Sequence, residues 1–279
     1  MERRRFLGAL TAASLGVALK NSFTEFARAQ DGAPGTANVQ ASKTSGFPPN
    51  STIVLVHGAW ADGSCWRNVI LPLERRGLHV ICAPIPMTSL TNDATALSQA
   101  LERTSGPVVL VGHAYSGAVI AAVREDRVKS LVYIAALAPD EGETVADVFY
   151  RGEPHPQAPQ LAPDEHGLIY LPDEAFGAAF APNAEAGDRA VLAAAQRPIS
   201  PACITVPLPR PLWKDRPAWF LVAEQDRMIV QDNQRFMAGR MQARVRAHDV
   251  DHTPLVTAPL VVLDVLREAI AAIRTGSTT

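Results

Sequence analysis

Two side chains in the last quarter of the 279-residue chain are of types that together perform acid–base chemistry. Asp226 follows an apolar run, and His252 comes 26 residues later, directly before Thr253 and Pro254. A carboxylate can orient an imidazole so that the ring takes a proton from a substrate or from water near neutral pH. Asp226 and His252 are therefore the candidate orienting acid and general base.

Other assignments of this pair remain open from the residues alone. Asp140 or Glu224 could supply the orienting carboxylate instead, and Asp226 could be a solvated turn residue paired with Arg227. His252 could be an ordinary surface histidine near the C-terminus.

Two glycine-containing segments also follow apolar runs. The first is VHGAW at residues 56–60 and the second is GHAYSG at residues 112–117. Small residues permit a sharp turn between a strand and a helix. His57 and His113 flank the glycines, and we interpret both as structural.

The elements that position these residues alternate between apolar runs and helical patterns. The apolar runs are Thr52–Val56, His79–Ala83, Pro107–Val111, Lys129–Ala135 and Ala218–Val222. The helical segments between them include Cys65–Arg76, Asn92–Arg103 and Gly117–Val123. This rhythm predicts an α/β protein with a doubly wound, mostly parallel sheet. Ligands bind at the carboxyl ends of such strands, where the candidate residues fall.

Residues 140–212 break the rhythm and predict an inserted helical cap, with short helices at Glu174–Phe180 and Glu185–Gln196. The sheet resumes at Ala218, and Pro259–Ile273 has the spacing of a closing amphipathic helix. Aromatic residues of the cap segment are candidates to line a site for an apolar ligand, although aromatic residues in such a segment more often form the core of the cap. The candidates are Phe149, Tyr150, Phe176, Phe180 and Trp213.

Residues 1–29 have the features of an export signal. Arginines at residues 3–5 precede an apolar stretch too short to span a bilayer, and residues 27–29 read Ala-Arg-Ala, a signal-peptidase pattern. The arginines followed by Phe-Leu resemble a twin-arginine signal, while an ordinary secretory leader or an uncleaved anchor fits the same pattern. We predict a periplasmic or secreted protein with a flexible linker over residues 30–50 and one domain over residues 51–279.

Charge and cysteine content exclude several classes of partner. Residues 1–29 hold five basic and two acidic side chains, which leaves 21 basic and 26 acidic ones, a net charge near −5. Nucleic acid is therefore not an expected partner. Cys65, Cys82 and Cys203 have no paired short spacing, so the chain predicts no metal site, no cofactor and at most one disulfide.

The ordered set of motifs resembles the α/β-hydrolase superfamily. It comprises residues 56–60, then Gly63 and Trp66, then residues 111–120, then the motifs at Asp226 and His252. The similarity runs from about Thr52 to Ile273, and it is nearest to the branch of small esterases and hydroxynitrile lyases that includes plant methyl esterases. The resemblance implies the chain order of nucleophile, acid and base.

In this fold a serine of the motif Gly-x-Ser-x-Gly stands on the sharp turn, where this chain has Ala114. Ala114 cannot attack a substrate. The resemblance also implies an oxyanion hole made by the backbone amides of Tyr115 and Ala59. These amides do not depend on the missing side chain.

Other nucleophiles are conceivable. Ser116 stands where the motif expects glycine, but two residues along a helix turn a side chain about 200° away from Ala114. Cys65, which we expect near the mouth of the site, and Ser200 in the cap are further candidates. An engineered serine-to-alanine change would alter one position, whereas the motif departs at two, so we interpret the alanine as natural.

Three functions follow from this reading. The first is an enzyme that acts on a small apolar ester or carbonyl compound, with His252 as base and without a covalent intermediate; lyases, isomerases and cofactor-free oxygenases use the same groups. Thr253 argues against a cyanohydrin lyase of the plant branch, which places a lysine beside the histidine. The second is a hydrolase whose serine comes from an unusual position, either Ser116 or a cap residue such as Ser200. The third is a protein without catalytic activity that binds a small ligand.

Overall fold

The computed structural model describes residue 48 and residues 50–275, and six strands lie within that part of the chain. The strands are β1 (Thr52–Val56), β2 (His79–Ala83), β3 (Val108–His113), β4 (Val128–Ile134), β5 (Ala218–Ala223) and β6 (Arg244–His248). Every residue of β1, β3 and β5 is buried. Strands buried on both faces explain the continuous apolar runs in the sequence.

The strands form a single parallel sheet in the order β2-β1-β3-β4-β5-β6. The direction of winding reverses at β1, which lies between β2 and β3. Val56 at the end of β1 pairs with Gly112 near the end of β3. The two glycine-containing turns therefore leave the sheet side by side, at the kind of switch point where open α/β sheets bind ligands.

Helices connect the strands. They are α1 (Arg67–Glu74), α2 (Leu90–Glu102), α3 (Ser116–Ala122), α4 (Val145–Phe149), α5 (Asp173–Ala175), α6 (Ala186–Ala194), α7 (Gln231–Arg240), α8 (Pro254–Thr257) and α9 (Pro259–Thr275). Helices α1, α8 and α9 pack against one another, and α2 packs against α3. The predicted α/β fold with a doubly wound parallel sheet is confirmed.

Strand β6 is absent from the sequence prediction. It lies at the edge of the sheet, and four of its five residues, among them Arg244 and Arg246, are exposed. Charged edge strands discourage pairing with other chains, and they lack the apolar run by which buried strands are recognised. Pairing of Ala223 with His248 brings the loops after β5 and β6 together.

The chain between β4 and β5 adds no strand to the sheet within the described residues. It holds α4, α5, a π-helical turn at Phe176–Phe180, α6 and two short 3-10 turns, joined by an antiparallel bridge between Ile169 and Ile199. The predicted cap, residues 140–212, falls within this segment.

Two further expectations concern the ends of the chain and the membrane. The export signal predicted over residues 1–29 lies outside the described residues, as does the linker over 30–50 apart from residues 48 and 50. Between residues 50 and 275 no helix combines the length and the apolarity that crossing a bilayer requires.

Close backbone packing holds the turn after β3. Ala114 adopts a φ of +50°, a conformation that few residues other than glycine tolerate. A Cβ on Gly112 would lie 2.7 Å from the Ser116 carbonyl oxygen, and a Cβ on Gly117 would overlap the Leu137 carbonyl oxygen. The amide of Leu137 in turn donates to the Ala114 carbonyl. Both glycines are therefore required for the turn to form.

We expect Gly117→Ala to lower the free energy of unfolding by roughly 1–3 kcal/mol, since the backbone at Leu137 must shift to admit the methyl group. Gly239→Ala in α7 is the matched control: its Cβ meets no atom within 4 Å. That change should raise stability by about 0.5–1 kcal/mol through helix propensity. Guanidinium unfolding of both variants measures the difference, and equal stabilities would contradict the packing argument.

Candidate active site

Asp226 and His252 meet in the loops that follow β5 and β6. His252 Nδ1 lies 2.8 Å from Asp226 Oδ2, and both residues are buried. Asp226 Oδ1 accepts hydrogen bonds from the amides of Met228 and Ile229, each at 2.8 Å, and Gln234 Nε2 donates to Oδ2 at 2.8 Å. The carboxylate is thus fully satisfied by neutral donors.

These contacts determine how the His252 ring is protonated. A carboxylate only accepts hydrogen bonds, so Nδ1 carries a proton, and in the neutral ring the lone pair is then on Nε2. Nε2 makes no hydrogen bond within the described residues, and the ring borders a cavity. The geometry leaves Nε2 free to accept a proton from a bound molecule.

His113 supports the same loop from the end of β3. Its Nε2 donates to the His252 carbonyl oxygen at 2.8 Å, and its ring centroid lies 4.9 Å from that of His252. Burial lowers the pKa of His113 well below its usual range, so the ring is neutral. His57 is also buried, and its Nδ1 donates to the Gly58 carbonyl. Both histidines make structural contacts.

Ala114 lies at the turn between β3 and α3 and borders the same cavity as His252. A Cβ on Gly58 would lie 2.9 Å from the Ala114 Cβ, so β1 and β3 approach closely here. Ser116 is fully buried, and its Oγ donates to the His57 carbonyl oxygen. Ser116 does not border the cavity, which leaves its hydroxyl without access to a ligand there.

Two backbone amides face the cavity without a partner. Ala59 and Tyr115 both border it, and neither amide donates a hydrogen bond within the described part of the chain. Their neighbours differ: the Trp60 amide donates to Arg197 at 3.0 Å and the Ala114 amide to Ile134 at 3.2 Å. Unpaired amides of this kind can bind the negative oxygen that forms when a carbonyl is attacked.

The wall of the cavity is mostly apolar. It is formed by Ala59, Trp60, Ala114, Tyr115, Leu137, Val145, Ala146, Phe149, Tyr150, Leu161, Ile169, Ile199, Ile204, Met228, Ile229 and His252. The Tyr115 hydroxyl is used elsewhere, in a 2.7 Å hydrogen bond to buried Asp93, and Trp60 Nε1 donates to the Ile169 carbonyl. The inner cavity therefore suits a neutral, apolar ligand.

The other candidate acids lie elsewhere. Asp140 forms an ion pair with Lys214, and Glu224 pairs with Arg235. Arg227 does not pair with Asp226 but donates to the Ala178 carbonyl. None of these side chains contacts His252.

The expectation that Cys65 lies near the mouth of the site is wrong. Cys65 is buried in the 3-10 turn Gly63–Trp66 and does not border the cavity, because the turn buries the thiol. Ser200 caps the turn Pro201–Cys203 by accepting from the Ala202 amide, and it does not border the cavity either.

The aromatic candidates divide into two groups. Phe149 and Tyr150 border the cavity, as expected. The expectation is wrong for Trp213, Phe176 and Phe180, because these side chains are buried in the core and do not border the cavity. Phe180 nevertheless contacts the site from behind, with its ring centroid 5.3 Å from that of His252.

Sequence reasoning missed three buried polar residues that hold the site. Gln234 supports Asp226 from α7, Asp93 on α2 accepts from the Tyr115 hydroxyl, and Asp251 accepts from Thr257 Oγ1 at 2.6 Å and the Asn183 amide at 3.0 Å. Asp93 is a polar residue within an amphipathic helix, where the sequence alone predicts a solvent-exposed side chain. Only the adjacency of Asp251 to His252 was a usable signal.

No group of three histidine, cysteine or carboxylate side chains within residues 50–275 could hold a metal ion. Cys65, Cys82 and Cys203 are all free thiols.

A model of the alpha/beta hydrolase family matches residues 53–265. The chain belongs to the alpha/beta hydrolase family. Among solved structures, a methylesterase protein from Arabidopsis superposes with a TM-score of 0.64 at 16% identity, covering 79% of this chain and 99% of that one. This likeness concerns the fold and agrees with the resemblance to the small esterase branch.

Two curated members of the family are similar over part of their length. The carbendazim hydrolyzing esterase of Nocardioides sp. (strain SG-4G) is 29% identical over 151 residues, or 45% of this chain and 62% of that esterase. The pyrethroid hydrolase of Sphingobium wenxiniae is 27% identical over 139 residues, or 45% of this chain and 48% of that hydrolase. The chain thus spans about half to three fifths of these relatives.

The three thiols should be unreactive in the native alpha/beta hydrolase. Burial raises the pKa of Cys65 well above its usual range, that of Cys82 to about 11 and that of Cys203 to about 12. Because the thiolate is the reactive form, labelling by a disulfide reagent at pH 8 should be slow and should become fast in guanidinium. Fast native labelling of Cys65 would contradict this assignment, and Cys65→Ser should leave any turnover unchanged.

Proposed function

We propose that this alpha/beta hydrolase cleaves small apolar esters, with His252 as general base and Asp226 as orienting acid. The observation that carries the proposal is the 2.8 Å hydrogen bond between these two side chains at the wall of an apolar cavity. The names of two relatives, a carbendazim hydrolyzing esterase and a pyrethroid hydrolase, support a hydrolytic reaction.

The proposed reaction uses the groups already described. Nε2 of His252 removes a proton from a water molecule, whose oxygen forms a bond to the ester carbonyl carbon. The electrons of the carbonyl double bond move to its oxygen, where the amides of Ala59 and Tyr115 donate hydrogen bonds. When the tetrahedral intermediate collapses, the bond to the leaving alkoxide breaks and His252 returns the proton to that oxygen.

Ala114 removes the covalent step from this scheme. In a serine hydrolase the loss of the nucleophile costs about a millionfold in kcat, while the oxyanion hole and binding retain roughly 10³–10⁴ over water. Water is a weaker nucleophile than an activated serine in a dry pocket. We therefore expect substrates whose leaving group is a weakly basic oxygen, such as an aryl ester.

A second candidate is proton transfer without hydrolysis. Trp60 and Tyr115 border the inner cavity but use their polar atoms elsewhere. Of the wall residues, His252 and Tyr150 are left to hold a water molecule through a polar side chain. A base beside two amide donors can also remove a proton from a carbonyl compound and hold the resulting enolate. Turnover in ¹⁸O-water separates the two functions, because only hydrolysis places the label in the acid product.

His252→Ala and Asp226→Asn should each lower kcat/KM for aryl esters, by about 10²–10⁴-fold for the base and by less for the acid. Glu224→Gln is the matched control. This change neutralises a carboxylate in the loop that also holds Asp226. The Glu224 carboxylate pairs with Arg235 and does not contact His252. Circular dichroism checks the fold of each variant. Equal activity of His252→Ala and the parent protein would overturn the proposed role of the base.

Ala114→Ser should restore covalent chemistry, because it places a hydroxyl at the turn that borders the cavity with His252. We expect a fluorophosphonate probe to label this variant and not the parent, and ester hydrolysis to show a burst phase. Adding Ser116→Ala to Ala114→Ser should leave labelling intact, since Ser116 Oγ is bound to the His57 carbonyl. Strong labelling of the parent would instead reveal a nucleophile in another position.

A further inference from the structure

A second, outer groove opens beside the inner cavity. It lies between the loop that follows α4 and the first turn of α7. Four residues border both spaces: Phe149, Tyr150, Leu161 and Met228. The cavity and the groove are therefore adjacent.

The groove differs from the cavity in offering polar groups. Asn233 lies in its wall although only 2% of the residue is exposed. Asn233 Nδ2 donates to the carbonyl oxygens of Val148 at 3.4 Å and Phe149 at 3.2 Å. Since both partners are acceptors, the amide nitrogen must face them, and Oδ1 points the other way.

Asn233 Oδ1 has no hydrogen-bond partner among the described residues. Unlike the unpaired polar atoms that are fully buried in the core, it is not closed off from solvent. It therefore remains accessible from the groove. Gly152 keeps it so, because a Cβ at that position would lie 3.0 Å from Oδ1. A nearly buried acceptor that is open on one side gains from a ligand donor that fits it.

We propose that the groove binds the distal part of the substrate and that Asn233 Oδ1 accepts a hydrogen bond from it. The substrate class is then a neutral ester with two parts: an apolar part around the reacting carbonyl and a distal part with an N–H or O–H donor. This inference rests on the proposed function for the identity of the reacting group. It does not rest on it for binding, since Asn233 contacts no catalytic group.

Binding of unreactive ketones tests the groove without turnover. Two aryl alkyl ketones are compared, one with a distal hydroxyl and one with the same oxygen methylated, so that only the first can donate. We expect the parent protein to bind the hydroxyl ketone roughly tenfold more tightly by titration calorimetry. Gly152→Ala, which covers Oδ1, should reduce this preference to within about twofold.

Gly187→Ala is the matched control, because its Cβ meets no atom within 4 Å, and it should keep the full preference. Gly152 is exposed, but its Cβ would approach Asn233 closely, so thermal unfolding of both variants is measured beside the binding. Equal affinity for the two ketones in the parent protein, a preference that survives Gly152→Ala, or no binding of either ketone overturns the proposal. If only the proposed function is wrong, the parent protein keeps its full preference for the hydroxyl ketone but hydrolyses no ester.

Discussion

The hydrogen bonding of the Asp226 carboxylate is the constraint on which the site depends. A buried carboxylate is costly unless donors replace the water it has lost. Asp226 receives four donors, from the amides of Met228 and Ile229, from Gln234 and from His252. These donors come from the loop after β5, from α7 and from the loop after β6. Satisfying one charge therefore fixes three segments and the orientation of the base.

The backbone of the turn after β3 does not depend on the side chain at position 114. The close packing that requires Gly112 and Gly117 and the positive φ of Ala114 concern the backbone, and they are independent of the side chain at position 114. The same turn leaves the Tyr115 amide unpaired beside the cavity. A serine at position 114 would therefore stand on the same turn, beside the same unpaired amide.

The segment over the strand ends is tied to the base as well as to the cavity. Asp251 accepts from the Asn183 amide and from Thr257, and Thr253 Oγ1 donates to the Phe180 carbonyl. The π-helical turn that carries Phe180 brings its ring against His252. These contacts join Asp226 and His252 to the segment that supplies part of the apolar wall.

The sequence by itself determined the buried strands and the order of the motifs, because a parallel sheet with both faces covered needs continuous apolar runs. It could also place Asp226 after a strand, His252 in a later turn and Ala114 at the turn between a strand and a helix. It could not find β6, whose charged edge carries no apolar signal, or exclude Cys65, whose burial depends on packing. Gln234, Asp93 and Asn233 were equally hidden, since their partners lie on other elements. Only the tertiary structure decides which polar side chains are desolvated and paired, and which single atoms, such as His252 Nε2 and Asn233 Oδ1, are left open to a ligand.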